Sequence, residues 1–184
     1  TKQILNETFA SNGVITQFHP STTYEDFVAG LSPDVANASL RFQARAGHLM
    51  EASKKAGSSG ALLVIDEINR ADLGRVLGEA IYLFEAGDTE EGRVVRLPHA
   101  IDGVNEFALP SNLFVLATMN TADRSIALID SAIRRRFAFF RLAPDCPPIE
   151  GVMADWLDAN APTMGWVDEL VNNANNIIQS PDHA

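Results

Sequence analysis

The chain has 184 residues, of which 46% are hydrophobic and 21% charged, a composition typical of a globular domain with a substantial core. The net charge of −10 argues against a segment that binds nucleic acid by itself, because affinity for phosphates comes from Lys and Arg. A single cysteine, Cys146, excludes an intrachain disulfide and a cysteine metal cluster. Without a signal-peptide pattern or a membrane-length apolar run, we expect a cytoplasmic protein with no membrane partner.

The first third of the chain predicts three helices and one strand. A short apolar face predicts a helix over about 1–10, and an apolar run predicts a strand over 14–18. A capping-box pattern starts a short helix over about 24–31, which Ser32-Pro33 ends. Apolar residues at helical spacing then predict a longer helix over about 39–55.

The stretch from Ala61 to Glu67 predicts a buried strand that ends at a site. Five uninterrupted apolar residues are typical of a strand in a parallel sheet, and Asp66 and Glu67 follow them directly. Ligands of open α/β sheets bind at the carboxyl ends of the strands. Asp66 is therefore a candidate Mg²⁺ ligand through water, and Glu67 can polarise an attacking water, as in the Walker B arrangement. The alternative is a buried strand followed by a solvated turn.

Downstream, strands and helices alternate. Asp72 predicts the start of a helix that Gly87 ends, and two short strands over 93–97 and 106–109 predict an inserted β-hairpin. A second buried strand over 113–118 precedes Asn120, and a third apolar run covers 137–142. This alternation predicts an α/β fold of three layers with a parallel sheet.

The last part of the chain predicts a separate helical piece. Pro144, Pro147 and Pro148 indicate a hinge, and helices are expected over 152–157 and 166–178. We therefore predict two domains, an α/β core over 1–143 and the start of a helical lid over 144–184.

Three polar groups follow the predicted strands: Asp66-Glu67, Asn120 and the cluster Arg134-Arg135-Arg136. Phosphoryl transfer is catalysed mainly by positioning and by compensating charge on the phosphate oxygens. Carboxylates for a metal and a base, an amide for the water or a phosphate, and an arginine finger would meet those needs. Taken singly, the asparagine also fits a turn and the arginines fit a solvated face.

Four stretches of this sequence resemble the AAA+ domain of the McrB family. They are Leu-Val-Ile-Asp-Glu-Ile-Asn-Arg-Ala-Asp from Leu63, Met-Asn-Thr-Ala-Asp-Arg-Ser from Met119, Arg-Arg-Arg-Phe from Arg134, and residues 17–27. McrB is the GTP-hydrolysing motor subunit of a restriction system that cuts DNA containing methylated cytosine. The resemblance implies a P-loop NTPase core with an inserted β-hairpin and a helical lid.

The resemblance also implies roles for individual residues. It implies Asp66 as the Mg²⁺-associated residue, Glu67 as the base and Asn120 as the sensor of the γ-phosphate or water. It implies that Arg135 and Arg136 reach the nucleotide of a neighbouring subunit. The positions that match family residues near the nucleotide or the subunit interface are Asn69, Arg70, Asp123 and Arg124.

One family feature is missing from the sequence. No stretch ends in Gly-Lys-Ser or Gly-Lys-Thr, the loop that holds the phosphates of P-loop nucleotidases. We expect that loop and its strand upstream of this chain, so the 184 residues alone should be poorly stable, inactive and unable to bind nucleotide tightly.

The leading hypothesis is a GTPase or ATPase that forms a ring, which we expect to be a hexamer. Such a ring would work with a McrC-like nuclease subunit and reach DNA through regions outside this chain. Two alternatives stay open, a MoxR-like AAA+ ATPase that remodels a protein and a scaffold that binds nucleotide without hydrolysing it.

Overall fold

The computed structural model describes residues 1–34, 41–57, 59–84, 93–120, 131–143 and 146–179. They group into two compact units, Thr1–Ala138 and Phe139–Ala184. The first unit is α/β, and the described part of the second contains helices. Within the described residues, no helix has both the length and the apolar character needed to cross a membrane.

The described residues form seven strands and seven α-helices. The strands are β1 (Gly13–Gln17), β2 (Ala29–Asp34), β3 (Arg41–Ala46), β4 (Ala61–Asp66), β5 (Val95–Ile101), β6 (Val104–Phe107) and β7 (Leu113–Ala117). The helices are α1 (Lys2–Phe9), α2 (Tyr24–Phe27), α3 (His48–Ala56), α4 (Leu73–Leu77), α5 (Ser131–Arg134), α6 (Val152–Asn160) and α7 (Trp166–Gln179). Short 3₁₀ helices cover Ile68–Arg70, Gly78–Phe84 and Pro162–Met164.

A three-stranded parallel sheet, in the order β1-β4-β7, confirms the predicted α/β class. Gln17 of β1 lies opposite Asp66, and Ala117 of β7 lies opposite Ile65. This register brings the carboxyl ends of all three strands to one edge of the sheet, where ligands bind in folds of this class.

Helices cover both faces of the sheet, which gives the predicted three layers. Side chains of a strand alternate between faces. Leu62 and Val64 of β4 therefore pack in a small cluster with Leu5 of α1. Leu63 and Ile65 point the other way, into the main core that includes residues of α3 and α4.

The predicted helix over 39–55 is only half right. Residues Arg41–Ala46 form β3, which pairs antiparallel with β2, and the helix begins at His48. Ala44 and Ala46 pack on the core while Arg41 and Arg45 are exposed, an alternation typical of a half-buried strand. Its partner β2 lies outside this stretch of sequence, and pairing with it overrides the helix propensity of Arg and Ala.

The predicted helix over 24–31 is shorter than expected. It spans Tyr24–Phe27 and begins with a capping box between Thr23 and Asp26. A Cβ on Gly30 would lie 2.3 Å from the Cβ of Glu25, so the chain turns back closely on the helix at this glycine. Ser32 and Pro33 accordingly lie in β2 and do not follow a helix end.

The elements after β4 mostly confirm the predictions. Asp72 caps α4 by accepting a hydrogen bond from the Arg75 amide at 3.2 Å, although Gly78, with φ of 48°, ends the α-helical part early. The predicted helix end at Gly87 lies outside the described residues. β5 and β6 form the inserted hairpin.

The third apolar run, over 137–142, does not form a strand. Phe140 is 88% exposed, and the backbone of the run is irregular. A strand requires a hydrogen-bonded neighbour, and none of the strands in the described residues pairs with this run. In the second unit α6 and α7 confirm both predicted helices. The division into domains 1–143 and 144–184 stays a prediction.

Candidate active site

The carboxyl end of β4 presents two acidic side chains. The five residues before Asp66 are at most 3% exposed, because β4 lies between two strands and beneath helices on both faces. Asp66 is the first exposed residue of β4, and Glu67, the next residue, is half-buried. The strand therefore delivers two carboxylates from the core directly to the sheet edge.

Glu67 has an unusual backbone conformation. Its φ of 51° and ψ of 47° lie in the left-handed region, which costs a residue with a side chain about 1–3 kcal/mol. This turn starts the 3₁₀ helix Ile68–Arg70, in which the Arg70 amide donates to the Glu67 carbonyl at 2.9 Å. A sharp reversal directly after the strand keeps the Glu67 side chain at the sheet edge.

Two side chains contact the Glu67 carboxylate. The side-chain amide of Gln17 donates to Oε2 at 3.1 Å, and the Arg70 guanidinium donates to the same oxygen at 2.7 Å. Gln17 reaches Glu67 because it ends β1 opposite Asp66. The Arg70 and Glu67 side chains are 45% and 31% exposed, so this ion pair contributes less than about 1 kcal/mol to stability.

Thr118, the residue after β7, contacts both acidic residues. Its hydroxyl donates to Asp66 Oδ1 at 2.5 Å and accepts a hydrogen bond from the Glu67 amide at 3.2 Å. A single hydroxyl just after one strand therefore links the last residue of the neighbouring strand to the residue that follows it.

Asn69 and Asn120 lie next to each other. Asn69 is 5% exposed, and its side-chain amide donates to the backbone carbonyl of Asn120 at 3.0 Å. Its Oδ1 atom is buried and has no hydrogen-bond partner among the described residues. Asn120 itself is exposed. The structure thus places Asn69 behind Asn120, and the predicted contact of Asn69 with a nucleotide stays a prediction.

The other predicted site residues lie elsewhere in the chain or outside the described part. Arg135 and Arg136 follow α5. Arg135 is exposed, and Arg136 is half-buried with one guanidinium nitrogen donating to the Ala132 carbonyl at 2.6 Å. Asp123 and Arg124 fall outside the described residues. The structure therefore brings together Asp66, Glu67, Asn69, Arg70 and Asn120.

A family model for the AAA domain, dynein-related subfamily, matches residues 2–137. The chain belongs to this AAA family.

Two curated relatives are components of restriction enzymes. This AAA domain is 36% identical over 133 residues to the EcoKMcrB subunit of a type IV methyl-directed restriction enzyme from Escherichia coli K12, covering 71% of the chain and 28% of the relative. It is 34% identical over 87 residues to the YdiS component of the type II restriction enzyme BsuMI from Bacillus subtilis, covering 42% of the chain and 25% of the relative. The resemblance to McrB is thereby confirmed, and the chain spans about a quarter of each relative's length.

A solved structure of a proposed ATPase from Cytophaga hutchinsonii is similar at 16% identity and a TM-score of 0.47. The match covers 74% of this chain and 36% of that one.

The acidic residues of the AAA domain suit a magnesium ion that arrives with phosphates. Among the described residues no group of three His, Cys, Asp or Glu side chains could hold a metal ion. Mg²⁺ in nucleotide sites is usually held by one or two carboxylates, waters and the phosphates themselves. Asp66, exposed and with one oxygen bound to Thr118, fits that donor set.

The sequence does not predict two contacts of the site. In the sequence, Gln17 belongs only to a family motif, and Thr118 only to the end of a predicted strand. The detectable signal was weak: each is a polar residue at the end of a predicted strand. Their significance depends on which residues the sheet register places opposite them.

Proposed function

We propose that this AAA domain belongs to a McrB-like nucleoside triphosphatase. In this proposal the full-length protein hydrolyses GTP or ATP, assembles as a ring and drives DNA restriction with a partner nuclease. The observation that carries the proposal is the presence of Asp66 and Glu67 at the end of one strand and Asn120 just beyond the end of the adjacent parallel strand.

These residues would divide the work of phosphoryl transfer. Glu67 would orient the attacking water and accept its proton, and the Asn120 amide would donate to that water or to a γ-phosphate oxygen. Asp66 would bind a metal-coordinated water. Mg²⁺, when bound with the nucleotide, neutralises charge on the phosphate oxygens.

The contacts of Glu67 set a condition on this mechanism. Oε2 of Glu67 already accepts hydrogen bonds from the Gln17 side-chain amide and the Arg70 guanidinium. Glu67 would therefore accept the hydrogen bond of the water at Oε1, or exchange one of the contacts of Oε2 for it.

Assembly is supported by the arginines after α5. Arg135 is exposed, so its guanidinium is accessible to a second subunit. An arginine supplied by a neighbour stabilises the charge of the transition state and makes hydrolysis depend on the ring. We propose a hexamer, with a McrC-like nuclease as partner and DNA contacts made by other parts of the protein. Both curated relatives are restriction-enzyme components, which supports this context.

The test is steady-state hydrolysis of GTP and ATP by the full-length protein, alone and with its nuclease partner. Glu67→Gln removes the base, and Glu7→Gln makes the same change on the exposed face of α1 as a matched control. We expect GTP turnover that the nuclease stimulates, that Glu67→Gln stops and that Glu7→Gln leaves unchanged.

Other outcomes would replace the proposal. ATP turnover that no nuclease affects would indicate an ATPase that remodels proteins. Nucleotide-dependent assembly without turnover would indicate a scaffold and overturn the hydrolytic role.

A further inference from the structure

We propose that Thr118 is a positioning residue, whose hydroxyl sets the relative geometry of the two carboxylates at the end of β4. The inference rests on the proposed function, because it concerns the same site. It adds a residue that neither the strand pattern nor the polar motif at Asn120 indicates.

The backbone leaves the Thr118 hydroxyl little choice of partner. The Thr118 amide donates to the Ile65 carbonyl at 2.9 Å, and the Thr118 carbonyl accepts from the Ile68 amide at 2.9 Å. These bonds attach Thr118 to the residues immediately before and after Asp66-Glu67. A β-branched side chain also has few χ1 rotamers, so its hydroxyl is held toward that pair.

The hydroxyl then makes two complementary bonds. A hydroxyl has one proton to donate and lone pairs to accept. Toward Asp66 it donates to Oδ1, a charge-assisted bond at 2.5 Å. Toward Glu67 it accepts from the backbone amide at 3.2 Å.

Each bond has a consequence for chemistry. The bond to Oδ1 fixes the rotation of the Asp66 carboxylate and directs the other oxygen elsewhere, as a ligand to a magnesium-bound water requires. The bond from the Glu67 amide stabilises the left-handed turn at φ 51° and ψ 47°. Thr118 thus controls where the metal-associated carboxylate and the base lie with respect to each other.

Substitutions can separate the hydroxyl from the size of the side chain. Thr118→Val keeps the shape and loses both bonds, whereas Thr118→Ser keeps the hydroxyl and loses a methyl group. Thr118→Ala is a second way to remove the hydroxyl, should valine disturb folding. Thr16→Val is the matched control, because Thr16 is a half-buried threonine of β1 in the same sheet.

We expect the loss of the hydroxyl to lower kcat and to raise the Mg²⁺ requirement. A hydrogen bond to a charged group corresponds to roughly a 10- to 100-fold effect. Thr118→Val and Thr118→Ala should therefore lose that factor in kcat with a smaller change in KM. Thr118→Ser should stay within about 3-fold of wild type, and Thr16→Val should match wild type.

The experiment uses the full-length protein and two readouts. The first is kcat and KM for nucleotide at saturating and limiting Mg²⁺. The second is binding of a fluorescent nucleotide analogue across a Mg²⁺ titration in the Glu67→Gln background, where hydrolysis does not interfere. In that background Thr118→Val should shift the Mg²⁺ midpoint upward, while thermal unfolding shows that the variant is folded.

A double-mutant cycle tests the assigned partner. If the hydroxyl acts through the Asp66 carboxylate, Thr118→Val should shift the Mg²⁺ midpoint much less when Asp66→Ala, which removes the acceptor, is already present. Equal shifts in both backgrounds would overturn the positioning role. So would a serine variant as impaired as the valine variant, since methyl packing would then explain the loss.

The two proposals fail in different ways. A wild-type protein that turns over no nucleotide overturns the proposed function. Normal wild-type turnover that Glu67→Gln stops, together with wild-type behaviour of Thr118→Val, overturns the role of Thr118 alone.

Discussion

β4 and β7 lie side by side in one parallel sheet and differ sharply in burial. The residues of β4 before Asp66 are at most 3% exposed, whereas Phe114 of β7 is 54% exposed. β4 pairs with a strand on each side, while β4 is the one described neighbour of β7. The acidic pair therefore follows the more buried of the two strands, and the Asn120 carbonyl accepts a hydrogen bond from the Asn69 side chain, in the 3₁₀ helix after that strand.

The largest expected effect tests the burial difference directly. Leu63→Ala removes a fully buried side chain from β4 and should lower the free energy of unfolding by about 2–5 kcal/mol. Phe114→Ala removes a larger, half-exposed side chain from β7 and should cost less. Denaturant unfolding followed by circular dichroism would measure both, and equal losses would contradict the comparison.

A second prediction concerns the other neighbour of β4. A Cβ on Gly13 would lie 2.1 Å from the Leu62 carbonyl oxygen, so Gly13→Ala should push β1 away from β4. Overpacking of this kind costs about 1–3 kcal/mol. Gly103→Ala is the contrasting change, because a Cβ there would meet nothing within 4 Å, although a positive φ of 83° adds its own strain. The unfolding midpoint should shift more for Gly13→Ala than for Gly103→Ala, because Gly13→Ala weakens the pairing of β1 with β4. The loss of pairing should also be visible in the β-sheet region of the infrared spectrum.

A third prediction concerns chemistry at the end of β7. Asn120→Ala removes the proposed donor to the water or γ-phosphate and should lower kcat by roughly 10- to 100-fold with little loss of stability, because Asn120 is exposed. Asn112→Ala, before β7, changes the same residue type at the opposite end of the strand. Its side chain bonds the Gly57 carbonyl at 2.8 Å, so we expect it to change stability and leave kcat near wild type. The opposite result would remove Asn120 from the proposed mechanism.

The smallest expected effect concerns the pH dependence of stability and comes from Tyr24, which belongs to neither strand. Burial above all, and then the hydrogen bond to Glu79 at 2.9 Å, raises the pKa of Tyr24 above its ordinary value of 10.0. Above that pH the unfolded tyrosine loses its proton while the folded one keeps it, so the stabilisation declines as pH rises toward the higher folded pKa.

Tyr24→Phe should therefore cost less than about 1.5 kcal/mol at neutral pH and lose less stability than wild type between about pH 9 and 11. Parallel curves for the two proteins over that range would show that Tyr24 does not titrate as described. The burial of β4 and β7 should be the same in wild type and in Tyr24→Phe.

The two strands also show what the sequence could predict. β4 was predictable because an uninterrupted apolar run with two following carboxylates identifies a buried parallel strand within a short window. β3 was not, because Arg41–Ala46 carries helix-forming residues and becomes a strand only through pairing with β2. Local patterns contain no information about such pairing.

The candidate site likewise contains residues that the sequence predicts and residues that it does not. Asp66, Glu67 and Asn120 were predictable as polar residues that follow apolar runs. The roles of Gln17 and Thr118 were not, because each contacts an acidic residue about 50 positions away, across a strand pair. The burial of Asn69 was equally hidden, since it follows from packing beneath Asn120.

The main-chain hydrogen bonds of the sheet continue past the strand ends into the site. The Phe18 amide donates to the Asp66 carbonyl, and the Ile68 and Thr118 amides are bonded across β4 and β7, each at 2.9 Å. Exchange of these amide protons with solvent requires the sheet itself to open. The backbone beneath the exposed carboxylates should consequently exchange as slowly as the core of β4, so that motion at this edge of the sheet is confined to side chains.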